Sequence, residues 1–227
     1  MTRVTEHLAA VTERIANAAG VAERDSDSVA LLAVSKRHSA VSIRAAAAAG
    51  QRAFGENYVD AGVAKIVELH ELGLEWHFIG PIQSNKTKQI AEHFDWVHTV
   101  DRAKIVRRLS EQRPGSRAPL DTCIQVNIDA ETQKAGVSID AVPEIAGMIE
   151  KAPGLRLRGL MCLPKIRKYH DRQREPFARL AQLFASLRMQ HPEMDTLSMG
   201  MSGDLEAAIM EGATMVRVGT AIFGPRA

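Results

Sequence analysis

Apolar positions along the chain follow two patterns. Short continuous runs at 29–34, 53–55, 76–79, 96–100, 123–128, 157–163, 196–199 and 215–218 read as buried strands. Between them, apolar residues three and four apart predict helices over 41–49, 59–72, 85–93, 102–112, 139–151, 173–190 and 204–210. A further helix leads the chain, with Val4, Leu8, Val11, Ile15 and Ala18 on one stripe; Asp25, Ser26 and Asp27 form the polar turn after it.

Strict alternation of strand and helix implies a parallel sheet, because parallel neighbours need a crossover and a helix is the usual one. Eight such units favour a closed barrel over an open doubly wound sheet. No glycine-rich dinucleotide turn follows the first strand, where Ser35, Lys36, Arg37 and His38 stand instead. The expected fold is α/β: one TIM-type (β/α)8 barrel with an extra N-terminal helix, spanning residues 1–227 as a single domain. Residues 114–116 form a loop, not a linker, and 224–227 after the last strand leave no room for a second domain.

Composition narrows the class. The 227 residues are 45% hydrophobic and 25% charged, enough to bury one large core. With 29 Lys and Arg against 27 Asp and Glu, no charge block calls for nucleic acid or an anionic membrane. Cys123 and Cys162 sit in separate apolar runs and read as core residues of a reducing compartment. No apolar signal region or membrane span is seen, so a cytoplasmic protein is expected.

In barrels of this kind chemistry gathers on the loops after the strands. Lys36 lies two residues beyond an apolar strand. At such a rim an amine is partly desolvated, which suits it to Schiff-base formation, unless it merely snorkels outward. Ser202 and Gly203 after the seventh strand, and Gly219 and Thr220 after the eighth, occupy the positions where barrels bind phosphate; the alternative is an N-cap and a tight turn. Asp204 and Glu206 would repel a phosphate unless they face solvent, as expected. Arg217, inside the apolar eighth strand, needs a partner: a ligand atom, or a structural carboxylate such as Glu56 or Asp129. His77 and His98 read as core or rim histidines. The basic stretch Lys165, Arg167, Lys168, Arg172 and Arg174 reads as a solvated, flexible loop without acidic anchors.

Segment 76–90, Trp-His-Phe-Ile-Gly-Pro-Ile-Gln-Ser-Asn-Lys-Thr-Lys-Gln-Ile, closely resembles the signature of the YggS/PROSC-type pyridoxal phosphate homeostasis family. Segments 32–36, 54–58, 159–162, 197–202 and 216–224 agree with it, so the resemblance covers nearly the whole chain. It implies an alanine racemase-like barrel that binds pyridoxal 5'-phosphate (PLP) covalently through Lys36. It places Ser202, Gly203, Gly219 and Thr220 at the phosphate, Arg217 at the pyridine nitrogen, Asn57 near the ring, and Met199 and Met201 around the pocket. Gly203 departs from the family's more frequent aspartate, which leaves a backbone N–H for the phosphate.

An arginine at the ring nitrogen keeps it unprotonated and weakens the electron sink. The expected role is therefore PLP binding, buffering and delivery, with PLP-dependent apoenzymes as partners and a monomeric state. Two alternatives stay open: a weak amino-acid racemase using Lys36 with Tyr58 or a histidine, and a Schiff-base aldolase on a phosphorylated substrate. Tyr169, in the basic loop, is no obvious second base.

Overall fold

A computed structural model describes residues 3–225. Eight strands follow one another in chain order: β1 Ala30–Val34, β2 Ala53–Glu56, β3 Glu75–Phe78, β4 Trp96–Val100, β5 Leu120–Val126, β6 Leu155–Cys162, β7 Thr196–Met201 and β8 Met215–Val218. Each pairs in parallel with the next, and β8 returns to β1 through the register Leu32 to Arg217 and Ala33 to Val218, closing the barrel. Closure removes the exposed edges that an open sheet would keep.

Helices cover the outside: α1 Arg3–Val21, α2 Ala40–Ala48, α3 Val59–Glu68, α4 Thr87–His93, α5 Ala103–Gln112, α6 Val142–Glu150, α7 His170–Arg188, α8 Leu205–Met210 and α9 Thr220–Phe223. The leading helix buries Leu8, Val11, Ile15, Ala18 and Ala19, the predicted stripe, and packs on α8 and α9. On α7, Phe177, Leu180, Phe184 and Leu187 repeat at helical spacing and face the sheet despite Pro176 within the helix. Main-chain ladders and this apolar layer hold the scaffold, each fully buried Leu or Phe contributing roughly 1.5–3 kcal/mol.

Most bounds shift by one to three residues from the sequence expectation, and three differences have a physical reason in view. Strand β5 starts at Leu120 because Asp121 and Thr122, although polar, are buried in the ladder, with Asp121 paired to Arg156 and Arg158. The predicted helix 59–72 stops at Glu68; a 3-10 turn, His70–Leu72, follows and ends on Gly73 at φ 58. Helix α9 was not expected, since its four residues are too few to show a period.

Candidate functional site

The carboxyl ends of the strands bring together residues from four loops. Lys36 sits half-buried in the turn after β1, beside Arg37, whose φ of 63 shows how sharply the chain bends there. The preceding Ser35 is held on three sides. Its N–H donates to the Gly55 carbonyl at 3.0 Å, its hydroxyl to Glu56 Oε1 at 2.6 Å, and its carbonyl accepts from Lys65 Nζ at 2.9 Å. Lys65 also pairs with Glu56 Oε1 at 2.6 Å, and Glu56 is wholly buried. This anchor was not read from the sequence; a charged residue at the end of an apolar strand, Glu56, is the only signal of it.

Loop eight meets loop one. A Cβ on Gly219 would lie 3.1 Å from the Val34 carbonyl oxygen, a tight contact, so β8 closely approaches the strand end that carries Lys36. The His38 ring stacks on Phe223 of α9, centroids 5.0 Å apart, joining the same two segments. In α9 the Ile222 and Phe223 N–H groups bond to the Gly219 carbonyl. The N–H groups of Thr220 and Ala221 stand in the first turn, where a helix supplies no internal acceptor. Thr220 is exposed and Gly219 half-buried.

Loop seven lies next to this pair through the register Met201 to Arg217. Ser202 is half-buried and Gly203 exposed in a turn that Asp204 closes, accepting from the Met201 N–H at 2.6 Å. Asp204 therefore does not face solvent as expected. It is half-buried, and burial raises its pKa against the opposing pull of the Met201 N–H and the Arg217 charge. Glu206 does point outward, in an ion pair with Arg14 of α1.

Arg217 is buried, 4% exposed, and burial lowers its pKa. Its partners are neither of the carboxylates expected. Nη1 donates to the carbonyl and hydroxyl of Ser198, the latter at 2.8 Å, and Nη2 donates to the Cys162 carbonyl at 2.9 Å. Glu56 is committed to Lys65, and Asp129 to Arg167 and Arg179. Among the described residues the hydrogen bonds of the guanidinium thus end on neutral oxygens.

Asn57 follows β2. Its Oδ1 is buried without a hydrogen-bond donor among the described residues. Gly80 lets it approach β3, since a Cβ there would come within 2.1 Å of the Asn57 carbonyl oxygen. Asn57, Ile79, Thr99, Gln125, Asn127 and Lys134 line an opening of about 320 Å³ over the ends of β2 to β6. That size suits a small ligand.

Of the residues expected at the ligand, Asn57 lines this opening; Lys36, Ser202, Gly203, Arg217, Gly219 and Thr220 do not, and neither does Met199. Met199 has no exposed surface for a ligand to cover and belongs to the main apolar cluster, whereas the adjacent Ser198 turns inward to Arg217. Met201 is exposed at 37%. Tyr58, half exposed, receives a hydrogen bond from Arg37 Nη2 at 3.2 Å, and Tyr169 is 69% exposed.

The basic stretch is not without acidic anchors. Asp129 accepts from the Lys165 N–H and pairs with Arg167 and Arg179, while Arg174 pairs with Glu211. Burial would raise the Asp129 pKa, but the Arg167 and Lys165 hydrogen bonds and the two arginine charges bring it down to about 2. The cysteines are inert core groups: both are buried and free, and burial pushes the Cys162 thiol up to about 12. No group of metal-ligating side chains occurs among the described residues, and no helix there is long and apolar enough to cross a membrane.

Residues 7–227 match the family model described as alanine racemase, N-terminal domain. The pyridoxal phosphate homeostasis protein of Pseudomonas aeruginosa is 53% identical over 226 residues, covering 100% of this chain and 97% of its own length. The Escherichia coli protein of the same name is 50% identical over 229 residues, covering 100% and 98%. The structure of PipY from Synechococcus elongatus, solved with PLP bound, superposes with a TM-score of 0.83 at 36% identity, over 97% of this chain and 100% of that one. A closed barrel of eight parallel strands, matched along its length by these relatives, shows that the chain belongs to the alanine racemase N-terminal domain family and, within it, to the pyridoxal phosphate homeostasis proteins.

Proposed function

We propose that this chain binds PLP and serves its homeostasis by holding, buffering and delivering the cofactor to PLP-dependent apoenzymes. The observation that carries this reading is Arg217, a buried cation whose hydrogen bonds end on neutral oxygens. A buried charge hydrogen-bonded to no carboxylate favours an anionic or electron-rich ligand beside it. Asn57 Oδ1, a buried acceptor without a donor, fits the same ligand.

In this reading Lys36 holds the cofactor covalently through its amine. The backbone N–H groups of Gly203, Gly219 and Thr220, with the Ser202 and Thr220 hydroxyls, receive the phosphate at the two helix starts. Arg217 faces the ring nitrogen, Asn57 lies beside the ring, and Met199 contributes packing beneath rather than contact. PLP supplies an aldehyde and an electron-withdrawing ring when bound. Arg217, a permanent donor, keeps a proton off the ring nitrogen and so opposes strong carbanion chemistry. The site therefore retains its ligand more readily than it turns substrate over.

The purified protein incubated with PLP is expected to show a visible absorbance band that borohydride bleaches, with the added mass on Lys36. Lys36→Ala abolishes the band and the adduct while cooperative unfolding persists, since a half-buried turn lysine contributes little packing. Racemisation of alanine well above the rate of free PLP would end the carrier reading.

A further inference from the structure

One line of polar side chains crosses the barrel interior beneath the proposed site. Glu75 opens β3 at the amino end of the barrel, its side chain 49% exposed. Its Oε1 lies 2.7 Å from His77 Nε2. His77 Nδ1 is 2.9 Å from His98 Nε2, His98 Nδ1 is 2.8 Å from Ser198 Oγ, and Ser198 Oγ is 2.8 Å from Arg217 Nη1. The two histidines and the serine have no exposed surface. The His77 ring is further fixed by stacking on Trp96, centroids 5.2 Å apart.

The two ends of this line dictate its polarity. Arg217 has donors only, so Ser198 Oγ accepts from it. Glu75 as a carboxylate accepts only, and its hydrogen bond with His77 holds its pKa down, so His77 Nε2 carries a proton. Burial first, and with it the Arg217 charge, keep His98 well below its ordinary pKa and therefore neutral. The distances and the two ends together allow every link to run the same way: Arg217 to Ser198, Ser198 to His98, His98 to His77, His77 to Glu75. The Ser198 hydroxyl proton is then committed to His98, which leaves its lone pairs to the guanidinium.

We propose that Glu75, His77, His98 and Ser198 form a positioning chain that sets the plane of Arg217 for the ring of the bound cofactor. Ser198 fixes one terminal nitrogen and the Cys162 carbonyl the other, so the guanidinium has one orientation, and its remaining N–H donors are aimed by it. The far end of the chain is a half-exposed carboxylate at the opposite mouth of the barrel, so a change there reaches the site without touching it. This inference rests on PLP being the ligand.

The test uses the full chain as wild type, Glu75→Ala, Glu75→Gln and His98→Phe, each titrated with PLP while the absorbance maximum and affinity are followed. Borohydride capture, read by mass, reports covalent binding separately. Capture is expected in all four proteins. Glu75→Ala and His98→Phe shift the maximum and weaken affinity roughly tenfold, the scale of one lost hydrogen bond to a charged group. Glu75→Gln restores most of that affinity, because its amide oxygen accepts the same proton from His77. An unchanged maximum and affinity in Glu75→Ala overturns the chain, even where His98→Phe fails to fold. A Gln variant as defective as the Ala variant overturns it as well. Absence of capture in the wild type overturns the ligand reading, and this inference with it.

Discussion

Two cations, the half-buried Lys65 and the buried Arg217, lie close to the same barrel mouth and are treated in opposite ways. Lys65, on the outer face between β2 and α3, pairs with the wholly buried Glu56 and with the Ser35 carbonyl. Arg217, inside the barrel, meets one hydroxyl and two carbonyls. The first cation is neutralised within the fold, and its service is to hold the turn that carries Lys36. The second has no carboxylate among its hydrogen-bond partners, and Asp204 acts on it only through its charge. A cation neutralised within the fold serves the structure; one held by neutral dipoles is the one we propose for the ligand.

The largest expected effect breaks the neutralised pair. Lys65→Met leaves the Glu56 carboxylate buried and unpaired, which costs about 3–5 kcal/mol in urea unfolding. A smaller loss would mean that Glu56 finds water or takes a proton, and the contrast between the two cations would weaken. Arg217→Met comes next. It strands the acceptors on Ser198 and Cys162, at about 1–3 kcal/mol, yet its main effect is on retention and absorbance of PLP. Unchanged PLP affinity and spectrum would place Arg217 away from the ligand.

A milder effect appears in acid. The His77 hydrogen bond, with Trp96 and the Arg158 charge, holds Glu75 below its ordinary value of 4.5 in the folded chain, although burial opposes this. The stability it contributes is therefore present above that value and lost as pH falls through the lower folded one. In Glu75→Gln this part of the acid limb disappears, so urea midpoints measured from neutral pH to about pH 3 fall less steeply than in the wild type. Least of all is expected of Glu206→Gln. Its ion pair with Arg14 is more than a third exposed on both sides, so about 0–1 kcal/mol is lost and added salt erases the difference.

Most of the barrel was legible because its signals are local. Apolar runs such as 96–100 and stripes such as that of α1 depend on residues a few positions apart, and each was found within a few residues of its observed bounds. Where local polarity and tertiary burial disagree, the reading slipped: Asp121 and Thr122 look like a loop and lie inside β5 because Arg156 and Arg158 reach Asp121. Strand counting puts Lys36, Asn57, Ser202, Gly203, Gly219 and Thr220 after β1, β2, β7 and β8, where they stand in the fold. Met199, read from the sequence as lining the pocket, is buried by β7 in the apolar layer, a depth that no local pattern announces.

By itself the sequence determined the alternation of strand and helix, the number of barrel staves, and the loops on which reactive side chains stand. Only the tertiary structure decided which polar groups answer one another. The Arg217 partners, the turn of Asp204 onto its own backbone, and the line from Glu75 to Ser198 depend on contacts such as His98 to Ser198, one hundred residues apart in the chain. The physical reason is that periodicity is written residue by residue, whereas a buried polar atom takes whatever partner barrel closure brings within reach.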